Sequence, residues 1–155
     1  MSERIMHSSI NDRIVLHIPH NSPRIPEEYR HHFVLNDDEL DKELLKVTDH
    51  YTEQLFSGLF KDCNKVVANV SRLLVDVERF SDDTQEPMAR MGVGCIYQLS
   101  SNGKSLRTKI SDTERQNLLD RYYYPHHNSL TEKVTKSMKA SGKCLIIDCH
   151  SFPYV

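Results

Sequence analysis

The sequence predicts an α/β fold: a mixed, largely parallel sheet flanked by helices. Two observations carry most of that expectation. The run Lys143 to Ile147 is short, apolar and without alternation, and it ends on the polar tip Asp148-Cys149-His150-Ser151. Such a run reads as a strand covered on both faces, the pattern of parallel sheets packed between helices. The run Ile14 to Ile18 has the same form and ends on Pro19-His20. A third observation is the alternation of strand-like and helix-like stretches between them.

The first strand spans about 13–19. Pro19, Pro23 and Pro26 follow within eight residues, excluding helix and stiffening the loop that carries His20. Asn36-Asp37-Asp38 suits a helix start. Leu40, Leu44, Val47, Tyr51, Leu55 and Leu59 recur at helical spacing, with a break expected at Thr48-Asp49. The runs Lys65 to Val70 and Arg72 to Glu78 read as strands, the second with Leu73, Val75 and Val77 on one face. Residues 80–94 form a long loop. Cys95 to Leu99 and Lys104 to Arg107 read as a hairpin turning on Asn102-Gly103. Ser111 and Glu114 have capping-box spacing for a helix reaching about Tyr122. Pro125 either kinks that helix or opens the next, which carries Leu130, Val134 and Met138 and ends at Gly142.

A chain of 155 residues suffices for one domain with its own core, 1–155. A formal net charge of -2 gives no general attraction to nucleic acid or to an anionic membrane. No apolar run reaches the length of a membrane span, and Met1-Ser2-Glu3-Arg4 lacks a signal-peptide core. Cys63, Cys95, Cys144 and Cys149 show no CxxC pair and no disulfide framework; Cys144 and Cys149 belong to an apolar run, which suggests buried free thiols and a cytoplasmic protein. The chain stops five residues after His150 and reads like the front part of a larger domain, incomplete at its C-terminus.

Ligands of open α/β sheets bind beyond the carboxyl ends of the strands. If both histidine-tipped strands are parallel, His20 and His150 share one rim, and a metal site follows. Catalytic zinc takes three protein ligands, typically imidazole and carboxylate, and leaves a position open. Asp49 is the candidate third ligand, with Asp76, Glu78 and Asp148 as rivals; Asp148 could instead orient a ligand. Arg72 and Arg79 flank one predicted strand and suit a substrate carboxylate or an oxyanion, or an ion pair with a nearby acid. Of His126 and His127, one at most should face a site. His17 reads as a core histidine; His31, His32 and His50 read as surface.

Taken in order, Ile18-Pro19-His20-Asn21-Ser22, Thr48-Asp49, Ser71 through Arg79, Arg121 through His127, and Ile147 through Ser151 resemble the N-formylglutamate amidohydrolase family. The resemblance implies a phosphorylase/hydrolase-like fold, akin to zinc carboxypeptidases and aspartoacylase, with zinc at the strand ends. It implies that His20, Asp49 and His150 bind zinc, and that Arg72 and His127 serve catalysis. Arg79 would pair with the carboxylate of a small acidic substrate, with Glu78, Asn21 and Ser22 alongside. The family commonly has Asn where Glu78 stands, which points to a related zinc deacylase or peptidase as one alternative. A non-catalytic binding protein on the same fold is another, since the general base of related hydrolases comes from a later part of the chain.

Overall fold

The computed structural model describes residues 10–152. Three parallel strands form its sheet: β1 (Ile14–Ile18), β2 (Asn64–Val67) and β3 (Leu145–Asp148), in the order β2-β1-β3. The central strand has the expected character, since every one of its residues is buried. Helices cover both faces. Ile14, Leu16 and Ile18 pack with Phe56 and Phe60 from α2 (Thr52–Leu59) and its end. The alternate face, carrying His17, meets α4 (Tyr124–Ser141).

The helix ends follow from local chemistry. Asn36 and Glu39 form a reciprocal capping box at the start of α1 (Asp37–Val47). Ser111 and Glu114 do the same for α3 (Asp112–Leu118). A π-helical turn, Leu119–Tyr123, then leads without a break into α4, whose second residue is Pro125. Gly142 closes α4 in the left-handed region, φ 73, where glycine carries no Cβ penalty. Among the described residues, no helix is long and apolar enough to cross a membrane.

Several expectations need correction. Arg72 to Glu78 is not a strand but a series of turns. The Ser71 carbonyl accepts the N–H groups of Leu74 and Val75 at 2.9 and 3.2 Å, and Ser71 Oγ accepts that of Leu73 at 3.1 Å. Asp76 Oδ1 takes the N–H of Glu78 at 3.0 Å. These local acceptors out-compete a sheet ladder. The segment is the heart of the larger core, where Leu73, Leu74 and Val75 join Phe33, Leu40, Leu106 and Leu118.

The expected apolar stripe from Leu40 to Leu59 does not continue through the break. Tyr51 turns left-handed at φ 63 and starts α2 in a new phase, leaving Tyr51, Leu55 and Leu59 exposed while Phe56 packs inward. β3 is not covered on both faces: among the described strands it lies at the sheet's edge, with Leu145 and Ile146 exposed. Cys144, expected to be buried, is half-buried, although Cys149 is buried and all four cysteines are free. The hairpin reduces to one isolated bridge, Leu99 with Ser105, flanked by the bonds from Leu106 N–H to the Gln98 carbonyl and from Ser100 N–H to the Lys104 carbonyl. His32 is buried rather than on the surface.

Candidate metal centre

Because β1 and β3 run parallel, their carboxyl ends share one rim. His20 and His150, 130 positions apart in sequence, stand there with ring centroids 5.4 Å apart. Asp49 joins them from the turn between α1 and α2. Its N–H donates to the His20 carbonyl at 2.9 Å, so main chain fixes its distance from that histidine.

The two rings are held alike. On His20, Nε2 donates to Asp76 Oδ1 at 3.0 Å, while Nδ1 is buried without a hydrogen-bond partner, 3.9 Å from Asp49 Oδ2. On His150, Nε2 faces Glu78 Oε1 at 3.2 Å and Nδ1 faces Asp49 Oδ2 at 2.7 Å. A neutral imidazole carries one N–H, so His150 cannot bond both carboxylates unless a proton or a cation supplies the second link. With both N–H groups on Nε2, each ring donates to an orienting carboxylate and turns a lone pair toward Asp49. That is the usual arrangement of a metal-binding histidine. Glu78 Oε2 also lies 3.4 Å from His20 Nε2, and the metal-ligating atoms of His20, Glu78 and His150 lie within 4.8 Å of one another.

Asp76 anchors the arrangement. Fully buried, its Oδ2 accepts from Arg72 Nε at 3.2 Å and Nη2 at 2.9 Å, and from the Tyr97 hydroxyl at 2.8 Å. Burial alone would raise its pKa. The His20 hydrogen bond, the charges of Arg72 and His20, and the Glu78 N–H outweigh burial and hold the carboxyl well below the ordinary range. Burial, then the Asp76 charge, pushes the Tyr97 hydroxyl up to about 12, so it remains a donor. The sequence offered Asp76 only as a rival ligand. Its position four residues after Arg72 was the available signal.

The other expected residues are placed as follows. Arg72 is committed to Asp76 through two nitrogens. Arg79 has Nη1 3.5 Å from Glu86 Oε1, and its Nε is buried without a hydrogen-bond partner, 3.9 Å from Asp76 Oδ2. Asn21 Oδ1 accepts the Glu53 N–H at 3.1 Å at the start of α2, and Ser22 Oγ accepts the Arg24 N–H at 3.2 Å. His127 Nε2 donates to the Val77 carbonyl at 2.9 Å, bracing the loop that carries Glu78 and Arg79. Burial lowers its pKa, which keeps the ring neutral.

Sequence reasoning missed a second chain of contacts. His17 Nδ1 lies 2.5 Å from Asp148 Oδ1, and His17 Nε2 lies 2.8 Å from Nε2 of the buried His126. The signal was the period-two pattern of β1, since His17 and Asp148 are register partners across β1 and β3.

A family model described as N-formylglutamate amidohydrolase matches residues 12–155. The chain belongs to that family. Two solved structures share its fold. The crystal structure of N-formylglutamate amidohydrolase from Ralstonia eutropha matches with TM-score 0.78 and 22% identity, over 91% of this chain and 54% of that one. The crystal structure of a gene product from Agrobacterium tumefaciens matches with TM-score 0.66 and 24% identity, over 92% of this chain and 54% of that one. The chain thus spans about half the length of either. No curated protein matches it.

Proposed function

We propose that this chain supplies the metal-binding part of a zinc-dependent amidohydrolase, one that cleaves the amide C–N bond of an N-acylated acidic amino acid such as N-formylglutamate. Family membership supports the reaction class. The observation that carries the metal reading is His20 Nδ1: buried, partnerless, and turned toward Asp49 while its Nε2 is spent on Asp76. Buried polar atoms seldom go unsatisfied, and a cation satisfies this one.

His20 and His150 would hold zinc through Nδ1, and Asp49 through its carboxylate. When bound, zinc polarises a substrate carbonyl and brings the pKa of water toward neutrality. Asp76 and Glu78 keep the two imidazoles oriented by accepting their Nε2–H groups. Across this rim the guanidiniums of Arg72 and Arg79 both lie against Asp76, while among the described residues Asp49, Glu78 and Asp148 face imidazoles, so the site favours a cation. Arg79 is the less committed of the two and would read the substrate carboxylate; Arg72 would stabilise developing negative charge on oxygen. Glu78 need not repel an acidic substrate, because two imidazole nitrogens lie within 3.2 and 3.4 Å of its oxygens. The free cysteines suit a reducing, cytoplasmic setting.

The test is metal content, then turnover. Purified, untagged chain should retain zinc, and His20→Ala, His150→Ala and Asp49→Ala should each lose it. Full retention in all three removes the reading. Formate release from N-formylglutamate, run beside a panel of other N-acyl amino acids, identifies the acyl group. Hydrolysis restricted to other members of the panel would favour a related deacylase, the alternative that Glu78 raises.

A further inference from the structure

We propose that the same rim holds a second divalent cation, bound by His17, Glu78 and Asp148, beside the one assigned to His20, Asp49 and His150. The proposal rests on the metal reading above and extends it to a two-metal centre.

The metal-ligating atoms of His17, Glu78 and Asp148 lie within 4.8 Å of one another. One imidazole and two carboxylates suit zinc, manganese or cobalt. Two elements fix two of the ligands. His17 and Asp148 are register partners on adjacent parallel strands, so their side chains leave the sheet on the same face. Glu78 reaches them from the turn segment.

The contact behind His17 supports a ligand role. The free nitrogen of a metal-binding histidine is held by an acceptor that fixes its tautomer. His17 Nε2 has such a partner in His126 Nε2, 2.8 Å away and buried. With the proton on His17 Nε2, Nδ1 turns a lone pair toward Asp148 and Glu78. Glu78 can serve both halves of the site. Each carboxylate oxygen has two lone pairs, so Oε1 can accept from His150 Nε2 at 3.2 Å and still bind a cation. The Asp148 side chain is 59% exposed, which leaves room for substrate or water on the open side.

A different cluster, His31, His32 and Glu114, also brings its ligand atoms within 4.8 Å. It is the weaker candidate. Glu114 is engaged in the α3 capping box through Oε2, and the Arg107 charge acts directly on His32. It must still be separated experimentally.

The test is stoichiometry on the untagged chain. Metal-free protein is loaded with Zn(II) or Mn(II), freed of excess, and its metal counted by mass spectrometry. We expect two equivalents. Asp148→Asn and His17→Gln should each leave one; His31→Ala should leave two. His126→Ala, at a positioning residue, should weaken only the second equivalent, by about 10- to 100-fold. Mn(II) in the two-equivalent protein should show spin coupling by electron paramagnetic resonance, and Asp148→Asn should abolish it. Asp148 is exposed, so that variant keeps the test readable if His17→Gln fails to fold. One equivalent in the parent, lost in His20→Ala, leaves the proposed function standing and overturns the second site. Two equivalents that survive Asp148→Asn but fall to one in His31→Ala overturn it as well. No bound metal at all overturns both readings.

Discussion

Leu73, Leu74, Val75 and Val77 belong to a segment with no regular secondary structure, yet each is at most 2% exposed. Leu145 and Ile146 belong to a regular parallel strand, yet they are 56% and 44% exposed. Regularity and burial have come apart between these two regions. The difference lies in what satisfies the backbone. β3 pairs the main-chain groups that face β1 through their shared ladder. The turn segment uses side chains: Ser71, Asp76, and the Arg107 guanidinium, which donates to the carbonyls of Leu73 and Leu74. Such a segment can bring Arg72, Asp76, Glu78 and Arg79 to one rim, where the alternation of a strand would turn Arg79 to the face opposite the other three. Its order therefore hangs on a few buried polar groups, not on a ladder.

That contrast can be broken or sharpened by measurement. The largest effect should come from Asp76→Ala. It strands the Arg72 guanidinium and the Tyr97 hydroxyl, and removal of one partner from a buried charged pair costs about 3–5 kcal/mol. Urea denaturation reads the loss; a change below about 1 kcal/mol would mean that the segment does not depend on its carboxylate. Next, Leu74→Ala should cost about 3 kcal/mol, the usual order for a fully buried leucine. Ile146→Ala should cost less than about 1 kcal/mol, because its side chain is already partly in water. Equal costs at the two positions would show that β3 is covered in solution.

A further effect concerns pH. Burial, aided by the charges that His17, His127 and His20 would carry, pushes His126 from 6.5 down to about 4. The unfolded chain takes up a proton at this ring that the folded chain refuses. This contribution is therefore intact above 6.5 and is lost as pH falls toward about 4, by up to about 3 kcal/mol. Denaturation midpoints across that window should show the slope, and His126→Gln should flatten it. An unchanged slope in the variant would assign the acid sensitivity elsewhere. A small change should also appear at Asn21, where Asn21→Ala removes one capping acceptor from α2 and costs about 1 kcal/mol, read by thermal denaturation.

What the sequence made legible was whatever local chemistry decides. The capping groups Asn36, Ser111 and Glu114, the stop at Gly142 and the break after Val47 all appear where expected. So does the meeting of His20 and His150, because two apolar runs ending on histidine need only be parallel to bring it about. What stayed hidden depended on competition or on distant neighbours. Leu73, Val75 and Val77 alternate as a strand would, and nothing in that pattern shows Ser71 and Asp76 capturing the backbone first. The apolar run of β3 says that it prefers cover, not what supplies it. Tyr51 hides a reset of helical phase, since one left-handed residue rotates everything after it. His17 was read correctly as buried, but its two partners come from α4 and β3, which no short window joins.

The π-helical turn at Leu119–Tyr123 has a consequence for how this chain can vary. It places one additional residue in an otherwise continuous α3–α4 rod, and each residue of an α-helix advances the path by about 100°. Because the turn takes up that residue as a bulge, removing one position there would restore ordinary helix and leave α4 in its present phase, with His126 still against His17 and His127 still against the Val77 carbonyl. The turn is thus the place where this rod can change in length by one residue without re-aiming either imidazole. In plain α-helix, the same one-codon change would rotate everything beyond it by about 100°.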